Sequence, residues 1–336
     1  MKPGIRFVAP FACLIFITRP DLALAFKTQD QKPNVQFQGD LKQLIAAPKS
    51  KAEFPKWLEG LRAWRTSERN RLGVSDKEYF RPALKWTQRS FIQPQMMAED
   101  RYFYDPETQK YTVDKYLDDL IARYGGIDSV LIWPTYPNIG IDDRNQHDHL
   151  RDMPGGYEGL KQAVDRFHQR GVNVLFPIMP WDIGTRSEKD PLPAALAKSM
   201  KAVGADGMNG DTMDFIPRAF RDESDKIGHP LAFEPENGMQ GDDAKSISWT
   251  NLGWGYWWQY PTIPGVSSYK WLQPYHLSHV CNRWMHDRTN DLQYAFFNGE
   301  GYESWENIWS IWNQATPRDA EAIRRIGMIY RSFGDL

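Results

Sequence analysis

For most of its length the chain repeats one pattern. A short run of consecutive apolar residues is followed by a polar stretch, and then by apolar residues spaced three and four apart. Uninterrupted apolar runs predict strands covered on both faces, and the three-and-four spacing predicts amphipathic helices laid against them. From about Trp86 onward, strands are expected at 90–97, 129–136, 172–181, 205–213 and 230–236. Three more are expected at 247–254, near 269–272, and at 292–298. Helices are expected at 113–124, 157–170, 193–203 and 318–333. Ahead of them, Phe54, Trp57, Leu58, Leu61 and Trp64 stripe one face of a helix over 52–71. His276, His279 and His286 recur at three and then seven residues beside Val280 and Trp284, which reads as histidines on a helix face.

Alternating strands and helices imply parallel pairing. Eight units close a barrel, whereas six leave an open doubly wound sheet. No Gly-x-Gly-x-x-Gly follows the first strand, and polar residues recur where nearly every strand ends, as the upper face of a barrel demands. The expected fold is α/β, a (β/α)8 TIM barrel over 86–336 with an N-terminal helical extension. Residues 26–85 are expected to form a polar leader and a helix packed on the barrel.

Residues 1–25 read as an export signal. Lys2 and Arg6 precede an apolar stretch from Phe7 to Ile17 broken by Pro10, and Ala23-Leu24-Ala25 offers a small-x-small cleavage site. The stretch is too short to cross a bilayer, which takes about 20 residues. The expectation is a periplasmic or extracellular protein, cleaved near Ala25 and not inserted in a membrane. Cys13 leaves with the signal, so Cys281 remains alone, without an intrachain disulfide, as a small buried side chain.

Composition sharpens the function. A net charge of −2 provides no long-range field to recruit nucleic acid or an anionic membrane. Aromatic residues make up 14% of the chain, with 14 tryptophans. Many stand beside Gly, Asn, Pro or Asp where loops leave strands, which suits stacking on sugars; core packing is the alternative. In a barrel the residues just past each strand converge on one face. In order these are Gln93 and Gln95; Trp133, Tyr136 and Asn138; Trp181 and Asp182; Asn209 and Asp211; Glu234, Glu236 and Asn237; Trp249, Asn251 and Trp254; then Asn298, Glu300, Glu303, Trp305 and Glu306. Amides and acids bond sugar hydroxyls, rings stack on C–H faces, and paired carboxyls cleave glycosidic bonds.

The sharpest motif is Ala205-Asp-Gly-Met-Asn-Gly-Asp-Thr-Met213 at the fourth strand. Here the chain resembles the α-glucosidase and α-galactosidase superfamily of retaining TIM-barrel glycosidases, many of which carry Asp-Gly-x-x-x-Asp at that strand. The resemblance puts Asp206 and Gly207 in the first two places and Asp211 in the nucleophile's. It also likens Trp181-Asp182 to a sugar-binding pair ending strand three. Thr212-Met213-Asp214 stands where Met-Asn-Glu follows the nucleophile in that group. The alternative reading of Asp211 is a cap on the next helix. A retaining mechanism needs a second carboxyl, which the superfamily takes from strand six; the predicted strand six holds no acid. Glu236 and Glu303 are the candidate acid–base groups, with Glu234 and Glu306 behind them, and Glu234 or Glu236 ordering loop backbone as the alternative.

The loop at 142–152 is dense in charge, and Asp143, Arg144 and Asn145 are read as contacts to substrate hydroxyls. His147 and His149 match no tight zinc spacing, so no metal is expected. No Gly-x-Ser-x-Gly elbow and no phosphate-binding loop occur, and no cofactor is indicated. The sequence therefore reads as a secreted glycosidase acting on a terminal, α-linked sugar. Asp211, with Glu236 or Glu303, would do the chemistry between walls of Trp133, Trp181 and Trp254. A silent carbohydrate-binding barrel and a polysaccharide lyase are the other readings. The expected partner is a carbohydrate; oligomeric state is undetermined.

Overall fold

The structure is a computed structural model that describes residues 44–134, 144–182, 188–255, 265–281, 287–308 and 311–333. Eight strands carry the architecture: β1 (Ile92–Met97), β2 (Ser129–Trp133), β3 (Asn173–Ile178), β4 (Gly207–Gly210), β5 (Ala232–Pro235), β6 (Leu252–Gly255), β7 (Leu277–Val280) and β8 (Gly301–Ser304). Parallel ladders join them in unbroken sequence order, from β5 back through β1 to β8, β7 and β6. β5 and β6 lie against each other and complete the ring. The fold is a (β/α)8 TIM barrel.

Strand alternation divides the apolar residues between two cores. Ile92, Met96, Ile132, Phe176, Met208, Phe233 and Tyr302 point outward to the helices, in one continuous cluster. Leu131, Trp133, Leu175, Met179, Leu252, Trp254, Leu277, Cys281 and Trp305 point inward and fill the barrel with Leu84. A strand covered on both faces has no polar face, which is why these segments read as continuous apolar runs.

The helices are α1 (Phe54–Leu72), α2 (Val113–Tyr124), α3 (Gln146–Asp152), α4 (Gly156–Gln169), α5 (Leu192–Val203), α6 (Arg218–Lys226), α7 (Ser268–Leu272), α8 (Thr289–Asn298) and α9 (Pro317–Phe333). Among the described residues no helix is long and apolar enough to cross a membrane. Helix starts and stops follow local chemistry. Pro191 and Pro193 open α5, and Gly204 at φ 77° closes it, a left-handed conformation that costs glycine nothing. α1 buries Trp57 and Leu61 and is fastened by Arg65 and Arg69, which donate to the carbonyls of Trp271 and Leu272.

The last third corrects the sequence reading. Residues 241–248 form a 3-10 helix rather than the start of strand six, which begins at Leu252. The segment near 269–272 is α7, and 292–298 lies in α8; the true seventh and eighth strands follow each of them. His276 and His279 stand just before and within β7, not on a helix. These strands are four residues long and hold His, Ser, Gly and Glu, so they lack the apolar run that marks β2 or β3.

Beneath the barrel His276 is buried, with Nδ1 3.0 Å from the Tyr79 hydroxyl. Burial, with nearby Lys270 adding to it, pushes its pKa down to about 3. In the unfolded chain the ring takes a proton near its ordinary 6.5. Between those values the unfolded state binds more protons. The contribution is therefore full above about pH 6.5 and declines as pH falls toward 3, by up to about 1.4 kcal/mol per pH unit. Urea unfolding of wild type and His276→Asn between about pH 7 and 4 tests this. The wild-type profile should be the steeper one, and parallel profiles would acquit His276.

Candidate functional site at the C-terminal face of the barrel

Asp211 directly follows β4, and Glu236 directly follows β5. The register pairs Gly210 with Pro235, and the Glu236 N–H donates to the Gly210 carbonyl at 3.1 Å, extending the ladder one step. The two acids therefore leave neighbouring strands as register partners, on the same face of the sheet. Each is held. The Trp181 indole N–H donates to Asp211 Oδ2 at 2.9 Å, and the Thr212 backbone N–H donates to Glu236 Oε2 at 2.6 Å. Thr212, at φ 59°, occupies the left-handed region, a strain of about 1 kcal/mol or more for a β-branched residue. That backbone turns its N–H toward Glu236. Asp211 does not cap a helix: α6 begins at Arg218 and makes no side-chain cap bond.

Asp206, the first acid of the Asp-Gly motif, is elsewhere. It lies ahead of β4, where it accepts from the Val174 N–H and from His168 Nε2, each at 2.7 Å. That bond raises the His168 pKa.

One layer deeper, Glu234 is fully buried inside the barrel, not at the mouth. It accepts from the Gln93 amide at 2.8 Å and from the Asn209 amide at 3.1 Å, and lies 2.7 Å from His279 Nδ1. His279 Nε2 is 2.7 Å from the Ser90 carbonyl, which only accepts, so that nitrogen carries a proton. Gln93 Oε1 accepts from Ser129, whose hydroxyl in turn meets that of Ser90. A Cβ at position 301 would run into the His279 ring, so β8 approaches there only as glycine. These bonds tie β1, β2, β4, β5 and β7 together under Asp211 and Glu236.

The remaining sequence candidates divide. Trp181 is 39% exposed and stands at the mouth, and Asp182 beside it is buried, its N–H on the Met179 carbonyl. Gln146 brackets the Met179 backbone from both sides, fixing the end of β3, a role the sequence did not suggest. Trp133, Trp254 and Trp305 are buried in the inner core, so they form the floor beneath the mouth and not its walls. Glu303, register partner of Gln93, is also buried in the barrel, one inward position below Trp305. Asn145 caps α3 by accepting from the His147 and Asp148 N–H groups, and Arg144 reaches Asp152 at 3.4 Å. Trp249 precedes β6, its indole on the Ile216 carbonyl at 2.7 Å. Beside it Arg221, pushed by burial down to about 10, donates to the Trp249 carbonyl and to Asn251. Glu306 is clamped by both arms of Arg123, at 2.7 and 2.8 Å. Tyr136, Asn138, Asp143 and His286 lie outside the described residues. His279, whose spacing predicts a place on a helix face, lies instead within β7 and points into the barrel. Among the described residues no group of three or more His, Cys, Asp or Glu side chains is placed to hold a metal.

No protein-family model and no curated protein matches the sequence. Among solved structures, the chain is similar to alpha-N-acetylgalactosaminidase NagBb from Bifidobacterium bifidum in its GalNAc complex. The TM-score is 0.50 at 14% identity, over 82% of this chain and 56% of that one. The ligand-free form of the same enzyme gives 0.50, at 14% identity, over 82% and 57%. A debranching enzyme from Nostoc punctiforme aligns at 0.49 and 12% identity, over 74% of this chain and 81% of that one. The chain thus spans a little over half the length of the first of these. At such identity the likeness concerns the fold, and the class it defines is the TIM barrel with its site at the strand ends.

Proposed function

We propose that the protein is a glycoside hydrolase of retaining type, with Asp211 as nucleophile and Glu236 as acid–base group. The reading rests on one observation: two carboxyl groups leave adjacent, in-register strands at the C-terminal face, beside an exposed indole. In the first step Asp211 attacks the anomeric carbon while Glu236 protonates the departing oxygen. In the second, Glu236 takes a proton from water, which displaces the sugar from Asp211. The barrel fold shared with alpha-N-acetylgalactosaminidase NagBb and the Asp-Gly-x-x-x-Asp spacing both favour a terminal, α-linked substrate. Glu303 belongs to β8, four strands round the ring from β4, whereas Glu236 follows the adjoining β5 and is the better partner. The 1–25 reading supports an exported protein, encountering its carbohydrate outside the cytoplasm.

A mechanism-based fluorinated glycosyl probe tests the reading. Labelling at Asp211, located by peptide mass, supports the hydrolase. Thermal stabilisation by sugars without labelling or turnover would replace it with a binding barrel.

Trp181→Phe keeps the ring and removes the N–H that holds Asp211. Hydrogen bonds to charged groups are worth about 1.5–3 kcal/mol, so kcat/KM should fall roughly 10- to 100-fold. Steady-state kinetics on an aryl glycoside measure it, and wild-type rates in the variant would separate the indole from the chemistry.

A further inference from the structure

The Trp181 indole reaches Asp211 from the stretch of chain that leaves β3, and that stretch has its own fastening. At the end of β3 the Ile178 carbonyl accepts from the Asp211 N–H at 2.9 Å, which joins β3 to β4. Met179, the next residue, turns its backbone groups to the opposite edge, as alternation along a strand requires. The ladder from β2 no longer serves it there, since the last pair between β2 and β3 is Leu131 with Leu175. Gln146 of α3 takes that place. Its Oε1 accepts from the Met179 N–H at 3.0 Å and its Nε2 donates to the Met179 carbonyl at 2.7 Å. One side chain thus supplies both bonds of a ladder step. The Asp182 N–H donates to the same carbonyl at 3.0 Å, closing a turn around Pro180 and Trp181. α3 is itself anchored: Asn145 caps its start, and Arg151 donates through both arms to Glu188, each at 2.8 Å, beyond that turn. α3 therefore grips the chain on either side of Trp181.

We propose that Gln146 is a positioning residue for the nucleophile, acting through Trp181. The proposal rests on the hydrolase reading for its kinetic consequence, and adds to it the device that aims the carboxyl. Trp181 is 39% exposed, so packing holds its ring only in part, and the turn that carries it sets where the indole N–H points. Gln146 and Met179 are both buried, so water does not replace either bond when the amide is lost. A planar amide presents a donor and an acceptor side by side, the pair that a backbone edge needs. Without it the Met179 groups are stranded, and the turn shifts toward other partners. Hydrogen bonds weaken steeply with direction, so a small shift at Met179 is felt at Asp211 Oδ2, 2.9 Å from the indole nitrogen.

The test uses the full chain and a near-isosteric variant, Gln146→Met, with melting temperatures to confirm that it folds. On an aryl glycoside kcat/KM should fall by about tenfold, and by no more than in Trp181→Phe, because misplacement is a milder fault than removal. In the Trp181→Phe background Gln146→Met should cost nothing further, within a factor of about two. Should Gln146→Met fail to fold, Gln146→Glu, which keeps the acceptor for the Met179 N–H, is read in the same way. A second measurement does not depend on turnover. In protein carrying isotopically labelled tryptophan, the Trp181 indole N–H signal is the one missing from Trp181→Phe. It should move in Asp211→Asn and also in Gln146→Met. Equal losses in both backgrounds, or an indole signal that Gln146→Met leaves in place, overturn the proposal. The two readings fail separately. Turnover with an unmoved signal removes the role of Gln146 alone, and a moved signal in a protein that cleaves no aryl glycoside removes the hydrolase alone.

Discussion

Asp211→Asn should lower turnover of an aryl glycoside by about 1,000-fold or more, because a neutral amide neither attacks the anomeric carbon nor carries a covalent sugar. The change is nearly isosteric, and an amide oxygen still accepts from the Trp181 indole. The fold should therefore melt within a few degrees of wild type. Asp211→Gly opens room for a small anion, and azide should then restore turnover by attacking from the vacated side, giving a glycosyl azide. Such rescue is specific to a nucleophile and does not follow from a residue that only bonds substrate. Full activity in Asp211→Asn would remove Asp211 as the nucleophile. The same measurement on Glu236→Gln should show a large loss for substrates with poor leaving groups and a smaller one for activated aryl glycosides, which need less protonation.

The largest stability effect is expected at Glu234. Replacing it by Leu removes the one acceptor shared by Gln93, Asn209 and His279, leaving their polar groups stranded in the barrel. Breaking a buried pair in this way costs about 3–5 kcal/mol. For a chain of this size that lowers the melting temperature by of order 10 °C. The coupling is the sharper test: Glu234→Leu with His279→Leu should be less destabilised than the sum of the single changes. An apolar pair leaves fewer polar groups unsatisfied than half of a hydrogen-bonded one. Additive losses would mean that Glu234 and His279 act apart. Activity should fall with stability in these variants, since the bonds lie one layer below Asp211 and Glu236.

The outer scaffold was legible because burial on both faces writes itself into composition. β2 and β3, and the helices around Val113–Tyr124 and Leu192–Val203, carry the runs and spacings that their environments require. Asp211 was legible too, since an acid just past the fourth strand of a barrel faces the mouth by alternation alone. β7 and β8 were illegible for a physical reason: their inward positions hold His279 and Glu303, polar residues buried in the barrel, and His279 meets its partner Glu234 across 45 residues of sequence. A pattern read along the chain counts such residues as exposed. The tryptophans misled in the opposite sense, since a neighbouring Gly or Asn says where a loop begins but not which way the ring turns.

The sequence by itself determined the alternation of strand and helix, the parallel barrel, and the acid that leaves strand four. These follow from local spacing and from the few ways apolar faces can be covered. Only the tertiary structure decided which glutamate stands beside that acid, which indole reaches it, and which polar residues retire into the core. Those choices depend on register between strands and on hydrogen bonds across the barrel, where partners such as Gln93 and Glu234 are 141 residues apart. No local pattern encodes a contact of that kind.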